Sequence, residues 1–341
     1  MVQKKVIIKH LIPFHGIGGV EVAAATTQNF LSPDMDFNVE SIYPDTAAVN
    51  HFMLWSPFHF IKSLMNLWRA KPNVLIVSLW RSYALGIVFK LLQPKIRLVV
   101  FLHYPRHTHL LDHLCTILAV KLSYRVWADS HETLIKRLPG LPASKGRVIS
   151  FIPQRITSLP SSKVRPVFIF WGRLHQQKGL SRALSFFSAI KTKFASARFL
   201  IIGPDAGDLN RLRSEANALE CAEAIEFLGP KTFFEIEQTA AAASFYLQTS
   251  ELEGMAVSVI EAMQLGLVPV VTPVGQIAKY AEHGINAVLM NDDITAVEDV
   301  LALLNDNFLY QNIRTQAIRT WVKQPLYRES ILTACHEVLS N

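Results

Sequence analysis

The sequence predicts an α/β protein with two domains, each built around a doubly wound parallel sheet. Its 341 residues are more than twice the commonest domain length, which favours two domains. Both halves alternate short apolar segments with segments of helical length, the pattern typical of parallel strands joined by helices. A polar segment with two prolines, 155–166, separates the halves and is the predicted linker.

Ten apolar segments are the predicted strands. Those in the first half are Val6–His10, Asn38–Ile42, Val74–Leu79, Arg97–His103 and Val126–Ser130. Those in the second half are Val167–Trp171, Arg198–Gly203, Ala224–Leu228, Phe245–Thr249 and Val268–Thr272. We therefore expect two Rossmann-like domains that face each other across a cleft, with ligands at the carboxyl ends of the strands.

The domain boundaries follow from this pattern. We expect an N-terminal domain over 1–154, the linker over 155–166 and a C-terminal domain over 167–322. The tail from Asp293 onwards has a helical pattern, and we expect 323–341 to be a helix that packs back on the N-terminal domain.

The composition is that of a globular protein kept in a reducing compartment. Half of the residues are hydrophobic and 18% are charged, which excludes disordered, collagen-like and disulfide-scaffold proteins. The three cysteines (Cys115, Cys221 and Cys335) are scattered, so we interpret them as free thiols of a cytoplasmic protein. The most apolar stretch, 74–104, contains four cationic residues and is not predicted to cross a membrane.

The two halves carry opposite net charge. Residues 1–165 contain 20 Lys+Arg and 8 Asp+Glu, whereas residues 166–341 contain 14 and 19. The basic half favours a polyanionic partner. Because its aromatic residues accompany dispersed cations around an amphipathic stretch, we favour an anionic membrane surface over nucleic acid, although a buried helix with a basic edge also fits. These residues are Phe52, Trp55, Phe58, Phe60, Lys62, Trp68, Arg69 and Lys71.

The first motif, HGIGGVE at 15–21, follows the first predicted strand and precedes an Ala-rich helical segment. Glycines let the backbone approach a phosphate, and a helix N-terminus favours the anion. The spacing of Gly16 and Gly18 resembles half of a dinucleotide fingerprint, but Glu21 stands where a small residue should permit close packing. An NAD site, another phosphate site and a plain turn all remain open for this loop.

The second motif is WGRLHQQKGL at 171–180, where a strand ends in a glycine turn before the next helix. Arg173 can donate in a fork and Lys178 acts as a point charge, so together they suit a diphosphate. Taken alone, the motif fits a pair of exposed cations more simply.

The third motif is EGMAVSVIEAM at 253–263, which places Glu253 ahead of a helix and Glu261 on its second turn. The amides of 254–257 would open this helix toward an anion, while the two carboxylates accept hydrogen bonds from hydroxyls. Phosphate donors between two hydroxyl acceptors suit a nucleotide-sugar. A single glutamate alone would be a solvated helix residue.

In this order the three motifs resemble glycosyltransferase family 4, a family of retaining enzymes with the GT-B fold. The resemblance covers nearly the whole chain and includes the segment TPVGQIAKYAEHGINAVLM after the third motif. It implies two Rossmann-like domains, the first binding the acceptor and the second the nucleotide-sugar. It also implies a hexosyltransferase (EC 2.4) that needs no metal and no cofactor.

The resemblance assigns roles to individual residues. It implies that Arg173 and Lys178 bind the donor diphosphate, that Glu261 holds the ribose and that Glu253 contacts the transferred sugar. The whole expected donor set is Gly18, Gly19, Arg173, Lys178, Gly254, Met255, Ala256, Val257 and Glu261. His103, in VVFLHYP, matches a family histidine near the reacting carbon, so His103 and Glu253 are the expected catalytic residues. A strand-end histidine bonded to backbone is the alternative.

The sequence departs from the family pattern at a few positions. Ala256 replaces the usual glycine, and FIPQR at 151–155 replaces an Asn-Gly-containing segment. Gln276 and Lys279 stand where a glycine and an acidic residue are usual. These changes leave the cations and carboxylates of the motifs in place. The identity of the donor sugar and the geometry of the hinge do not follow from the resemblance.

Two metal-like patterns have simpler interpretations. Asp34-Met35-Asp36 spells D-x-D but lacks a neighbouring nucleotide loop, so we interpret it as a solvated turn. His107, His109, Asp112 and His113 resemble a metallo-hydrolase run with one residue too many and no second cluster downstream. We expect surface histidines at a helix start, and no metal site.

The expected protein is a retaining glycosyltransferase that moves a sugar from a UDP- or GDP-linked donor to a glycan or polyprenyl-linked glycan. We expect it at the inner face of the cytoplasmic membrane, in cell-surface polysaccharide synthesis (O-antigen and other lipopolysaccharide, capsule or exopolysaccharide). No nucleic-acid partner is expected. The alternatives are an NAD-dependent oxidoreductase that uses the first motif and a non-catalytic glycan- or membrane-binding relative.

Overall fold

A computed structural model describes residues 5–14, 19–28, 30–31, 34–43, 57–159 and 163–340. The chain divides into two compact units. The first unit consists of Met1–Gln154 together with Pro325–Asn341, and the second consists of Arg155–Gln324. Within the described ranges, no helix is long and apolar enough to span a bilayer.

In its described part, the first unit has one seven-stranded sheet. Its strands are β1 (Val6–Ile12), β2 (Phe30–Leu31), β3 (Met35–Ser41), β4 (Val74–Ser78), β5 (Arg97–Leu102), β6 (Arg125–Ala128) and β7 (Gly146–Val148). They lie in the order β2-β3-β1-β4-β5-β6-β7. All neighbours are parallel except the short edge strand β2, which pairs antiparallel with β3.

The second unit has a six-stranded parallel sheet in its described part. Its strands are β8 (Val167–Trp171), β9 (Arg198–Ile202), β10 (Ile225–Gly229), β11 (Phe245–Gln248), β12 (Val268–Val271) and β13 (Val288–Leu289). They lie in the order β10-β9-β8-β11-β12-β13.

Helices connect the strands of both sheets. The first unit begins with α1 (Gly19–Ala25), α2 (Pro57–Ala70), α3 (Trp80–Leu92), α4 (Leu110–Leu122) and α5 (His131–Arg137). The second unit has α6 (Leu180–Lys193), α7 (Leu209–Asn217), α8 (Phe233–Ala240), α9 (Val257–Leu265), α10 (Ile277–Tyr280), α11 (Asp293–Asn305) and α12 (Asn307–Val322). The last helix is α13 (Tyr327–Ser340).

The C-terminal helix α13 belongs to the first unit. The Tyr327 amide donates to the Ile152 carbonyl at 2.7 Å, and the Tyr327 ring stacks on Phe101 at a centroid distance of 6.3 Å. Ser330 accepts a hydrogen bond from the Ser150 amide at 3.1 Å. The chain therefore returns to the sheet in which it began.

The central strands form because their sequences suit burial on both faces. All five residues of β4 (VLIVS) are buried, and four of the five in β8 (VFIFW) are buried. Near-continuous apolar runs of this kind are typical of parallel strands covered by helices on both sides. The predicted α/β class with two doubly wound sheets is confirmed, and each of the ten predicted strands overlaps an observed one. The short edge strands β2, β7 and β13 were not predicted.

Each sheet has one place where the chain direction across the sheet reverses. In the first unit, the chain leaves β1 toward β3 and leaves β4 toward β5, so the switch point lies between β1 and β4. In the second unit, it lies between β8 and β11 for the same reason. Loops diverge at such points, which makes the carboxyl ends of these strands the expected ligand sites.

Candidate functional site

The second unit's switch point brings two of the sequence motifs together. The loop 172–179 follows β8, and the loop 249–256 follows β11. Thr249 Oγ1 donates to the Gly179 carbonyl at 2.6 Å. A Cβ on Gly179, which has φ +64°, would lie 2.1 Å from the Thr249 carbonyl oxygen. The two loops are thus fixed against each other, and only glycine permits this approach.

Lys178 and Glu253 form an ion pair across these loops. Lys178 ends a single 3₁₀ turn, Gln176–Lys178, and its Nζ lies 2.6 Å from Glu253 Oε1. Ser250 Oγ donates to the same oxygen at 2.7 Å, and Gln248 Nε2 donates to it at 3.1 Å. A buried carboxylate with three donors on one oxygen is well satisfied in its ionised form.

The side-chain amide of Gln248 connects Glu253 to two neighbouring hydroxyl groups. Its side-chain oxygen accepts from Ser258 Oγ at 3.0 Å and lies 2.7 Å from the Tyr246 hydroxyl. Since the oxygen faces two hydroxyls, the amide NH₂ is turned toward Glu253. Gln248 is fully buried, and Ser250 is almost so. Sequence reasoning missed Gln248, Ser250, Tyr246 and Ser258 because a neutral polar residue at a strand end carries no motif of its own.

Glu261 occupies a separate buried position on α9. Its Oε2 accepts a hydrogen bond from Trp171 Nε1 at 2.9 Å, and the residue is 8% exposed. Burial raises the pKa of Glu261 to about 7, with a smaller upward contribution from Glu237 and a downward one from the Trp171 hydrogen bond. The two carboxylates of the third motif therefore differ in environment, since Glu253 faces a cation and Glu261 an indole N–H.

The N-terminus of α9 lies between the two glutamates in sequence. Its N-cap residue, Ala256, has φ 52° and ψ 65°, and no side chain caps the helix. The preceding loop is held by hydrogen bonds from the Gln276 amide to the Gly254 carbonyl and from the Tyr280 hydroxyl to the Met255 carbonyl. An uncapped helix N-terminus presents amide donors suited to an anion.

Arg173 is exposed in the loop after β8, and the described part of the chain offers it no ion pair. The backbone beside it is tightly held, because a Cβ on Gly203 would lie 1.7 Å from the Gly172 carbonyl oxygen. A cavity of about 720 Å³ opens within the second unit, and it is lined in part by Gln176, Gly179, Arg182, Thr249, Ser250 and Thr272. The two switch-point loops thus border a space of ligand size.

The first unit's switch point holds His103, which directly follows β5. His103 is buried, and its Nε2 lies 2.8 Å from Ser78 Oγ at the end of β4. Burial holds the pKa of His103 well below its usual range, and the nearby imidazole of His10, when protonated, and the guanidinium of Arg137 would lower it further. Of the first motif, Gly18 lies outside the described residues, whereas Gly19 begins α1.

The two metal-like patterns form ordinary local structure. Asp36 lies in β3, not in a turn, and accepts from Asn38 at 2.8 Å. His109 caps α4 by accepting from the Asp112 amide at 3.1 Å, and the Asp112 carboxylate pairs with Arg137. Across the described ranges, no group of three or more His, Cys, Asp or Glu residues could hold a metal ion.

Comparison with known proteins agrees with the motifs. Residues 153–320 match the family described as "Glycosyl transferases group 1". An uncharacterized glycosyltransferase, YqgM of Bacillus subtilis, is 24% identical over 50% of this chain and 46% of its own length. The GDP-mannose:cellobiosyl-diphosphopolyprenol alpha-mannosyltransferase of Komagataeibacter xylinus is 24% identical over 39% of this chain and 36% of its own. The aligned part of the chain thus spans about half the length of these relatives or less.

A solved structure shares the fold along the whole chain. The Anabaena protein Alr3699/HepE, crystallised with UDP and glucose, superposes with a TM-score of 0.76 at 18% identity and covers 98% of this chain and 99% of its own. The predicted GT-B fold and the family resemblance are confirmed. The enzyme class expected from the sequence, glycosyltransferase, is that of the matched family.

Proposed function

We propose that this chain, which belongs to the glycosyl transferase group 1 family, transfers a sugar from a nucleoside-diphosphate sugar with retention of configuration and without a metal. The observation that carries the proposal is the Lys178–Glu253 pair, held at the second unit's switch point at 2.6 Å. It places a cation, a carboxylate and an uncapped helix N-terminus on two adjoining loops. Those groups match a diphosphate and the hydroxyls of a sugar.

The proposed roles follow from the chemistry of each group. Lys178 and Arg173 would bind the diphosphate, together with the backbone amides of 254–257. Glu253 would accept hydrogen bonds from the transferred sugar, and Glu261 would accept them from the ribose. Because a lysine ammonium has three donors, Lys178 can keep its bond to Glu253 while it contacts a phosphate oxygen. Gly18 and Gly19 would approach the donor from the first unit, and His103 would lie near the reacting carbon.

The proposed mechanism is front-face transfer, in which the leaving diphosphate takes the acceptor proton. Negative charge develops on the diphosphate as the glycosidic bond breaks. Preorganised cations and amides stabilise such charge by several kcal/mol in enzyme sites. Lys178 is preorganised by Glu253, which itself is held by Ser250 and Gln248.

The donor base is proposed to be uracil or guanine. The Anabaena structure contains UDP and glucose, and the Komagataeibacter relative is named for GDP-mannose. A thermal-shift screen against UDP, GDP, ADP, CMP and NAD without added metal tests this, because a ligand at a hundred times its Kd adds about 2.7 kcal/mol of stability. We expect one diphosphate to stabilise the protein and Arg173→Ala to weaken the shift. A shift with NAD alone would favour an oxidoreductase instead.

The acceptor side of the proposal rests on two exposed apolar helix faces in the first unit. Four large apolar residues on α2 are about half exposed or more: Phe58, Ile61, Met65 and Trp68. Five on α4 are between 36% and 71% exposed: Leu110, Leu111, Leu114, Ile117 and Leu118. Spacings of three and four residues place each set on one side of its helix. Both helices pack against α3.

The charge around these faces is one-sided. The segment 57–122 contains nine basic residues and one acidic residue, Asp112, which is buried against Arg137. Exposed apolar faces among cations suit an anionic lipid surface, whereas a nucleic acid would not cover the apolar side chains. We therefore propose that α2 and α4 dock on the inner face of the cytoplasmic membrane. There the enzyme would reach a polyprenyl-linked glycan in cell-surface polysaccharide synthesis.

Co-sedimentation with vesicles tests this docking. We expect binding to vesicles with anionic phosphatidylglycerol, weaker binding in high salt and little binding to phosphatidylcholine alone. Ile61→Glu and Leu114→Glu should each weaken binding. Phe308→Glu, at a 77% exposed position in the second unit, is the matched control. Equal binding to neutral and anionic vesicles would contradict the proposal.

A further inference from the structure

The first unit's switch point contains a buried hydrogen-bonded chain of three side chains. Ser78, at the end of β4, lies between His10 of β1 and His103 after β5. Its hydroxyl oxygen is 2.8 Å from Nε2 of each ring. Ser78 and His10 are fully buried, and His103 is 6% exposed. Three polar side chains at a sheet's ligand-binding edge call for a chemical explanation.

The proton count of this chain allows only two arrangements. Burial lowers the pKa of His10 to about 3 and holds that of His103 well below its usual range, so both rings are neutral. A neutral imidazole has one N–H, and a hydroxyl has one O–H. Among the described residues, the Ser78 hydroxyl has no hydrogen-bond partner other than the two rings. It therefore donates to one ring and accepts from the other. The two rings must carry their protons on opposite nitrogens.

The free nitrogens decide between these arrangements. Nδ1 of His10 and Nδ1 of His103 are both buried without a hydrogen-bond partner in the part of the chain that the structure describes. A buried N–H without a partner is costlier and rarer than a bare acceptor. His10 is the more deeply enclosed ring, so the bare nitrogen belongs there. His10 then donates through Nε2 to Ser78, Ser78 donates to Nε2 of His103, and His103 carries its proton on Nδ1.

The rings are also held in place by aromatic packing. The Phe101 ring lies 4.1 Å from the His103 ring and 6.2 Å from the His10 ring, measured between centroids. Phe151 meets the His103 ring edge-on at 5.6 Å. With two aromatic rings packed against it and one nitrogen hydrogen-bonded, the His103 ring has a defined orientation before any ligand arrives.

We propose that Ser78 and His10 are positioning residues that keep His103 as a neutral Nδ1–H donor for a substrate oxygen. This inference rests on the proposed transferase function, which places His103 beside the reacting sugar. A substrate hydroxyl or ring-substituent oxygen that reaches Nδ1 would satisfy a donor that is otherwise unpaired, so binding and orientation are coupled. His103 acts here by hydrogen bonding and gives up no proton.

The tautomer of His103 is a direct test that needs no activity. In protein labelled with ¹⁵N-histidine, long-range ¹H–¹⁵N correlation spectra distinguish an Nδ1–H from an Nε2–H ring, and His103→Asn assigns the signal. We expect His103 to be protonated on Nδ1 and His10 on Nε2, with both rings neutral at pH 7. An Nε2–H ring at His103 would overturn the proposal, whatever the enzyme's activity.

Two substitutions of equal size isolate the role of the hydroxyl. Ser78→Thr keeps the O–H and Ser78→Val replaces it by a methyl group, so the steric strain at this buried position is the same. In assays with a nucleotide-sugar and a sugar acceptor that the wild type uses, we expect Ser78→Val to lower kcat about tenfold. The KM for the nucleotide-sugar should be unchanged. Ser78→Thr should retain the wild-type tautomer and most of the kcat.

The possible results separate this inference from the proposed function. If neither the wild type nor any variant transfers sugar, the proposed function fails, and the inferred role of the chain fails with it. If transfer occurs but Ser78→Val keeps the wild-type kcat and tautomer, only the positioning role fails. Equal losses in Ser78→Thr and Ser78→Val would mean that the hydroxyl has no part, and this too would overturn the inference.

Discussion

The two switch points of this protein are built from the same topology but from opposite chemistry. In the second unit, the strand ends carry an ionised pair, Lys178 and Glu253, with an exposed Arg173 nearby. In the first unit, they carry neutral, buried side chains, His10, Ser78 and His103. In both units the topology decides which strand ends meet, whereas burial and pairing decide whether the side chains there are charged or neutral.

Net charge alone would place an anion site in the first unit, whereas the proposed diphosphate site lies in the second. The first 165 residues carry an excess of twelve cations, whereas the remainder carries an excess of five carboxylates. The cations proposed to meet a diphosphate nevertheless lie in the acidic half, because a bound phosphate responds to the groups within a few ångströms. Nine of the twenty cations of the first half lie instead in the segment 57–122, which contains α2 and α4.

Removal of the Lys178 cation tests the charged switch point in the second unit. We expect Lys178→Ala to lower turnover at least about a hundredfold, because the cation is lost at the leaving diphosphate and Glu253 loses its partner. Steady-state assays with the donor identified by thermal shift provide the measurement. Lys193→Ala removes an exposed lysine from the same unit and should leave turnover unchanged. Near-normal turnover in the Lys178 variant would remove the donor-site assignment.

The free energy of unfolding at acid pH tests whether the buried histidines at the first unit's switch point are neutral. His10 titrates near 6.5 when unfolded and at about 3 when folded, so the unfolded state binds more protons between these values. The free energy of unfolding should therefore fall by about 1.4 kcal/mol per pH unit from this group as the pH drops from 6 to 4. Urea unfolding at several pH values measures this slope.

A titration variant shows whether that slope belongs to the buried ring. His10→Phe keeps a ring in place and removes the proton, so we expect a flatter pH dependence whatever its stability at pH 7. His103 shifts in the same direction, so some slope should remain. His131→Gln changes an exposed histidine of the same unit and serves as the control. An unaltered slope in His10→Phe would contradict the assignment.

Glu261 combines features of both sites, since it is a buried carboxylate in the charged unit. Its raised pKa, about 7, means that it is largely protonated at pH 6 and largely ionised at pH 8. If the ribose hydroxyls bind only the ionised form of Glu261, nucleotide affinity should rise about tenfold from pH 6 to pH 8. The reason is that affinity is proportional to the fraction of the protein in the form that binds. Calorimetric titration with the identified nucleoside diphosphate measures this, and Glu261→Gln should abolish the pH dependence.

A backbone substitution at Ala256, beside the charged switch point, should change the stability only slightly. Ala256 adopts a left-handed conformation with φ 52°, which costs an L-residue about 1 kcal/mol and glycine almost nothing. Ala256→Gly should therefore raise the free energy of unfolding by up to about 1 kcal/mol. Ala302→Gly, at an exposed position inside α11, should lower it by about the same amount. Destabilisation by both substitutions would mean that the strain at Ala256 is relieved elsewhere.

The sequence predicted much of the fold and the charged part of the candidate site. The ten predicted strands are apolar runs between helical segments, and such periodicity is a property of each short stretch alone. Lys178, Glu253 and Glu261 were found because charged residues stand out near strand ends and glycine turns. The short edge strands β2, β7 and β13 were missed, since two or three residues carry no detectable period.

The uncharged residues that hydrogen-bond to Glu253 and Glu261 could be identified only from the tertiary structure. Gln248, Ser250 and Trp171 are unremarkable in sequence, and their roles depend on which oxygen or nitrogen they meet. Ala256 was noticed as a departure from the family pattern, but its strain became visible only through its backbone angles.

The α/β class, the two sheets and the residues able to carry charge could be predicted from the amino-acid sequence, because each depends on local composition and spacing. The position of Ser78 between His10 and His103, which are 68 and 25 residues away from it, could be read only from the folded chain. The same holds for the hydrogen bond between Trp171 and Glu261, which are 90 residues apart. Strand order and register bring such residues together, and a linear pattern does not contain that information.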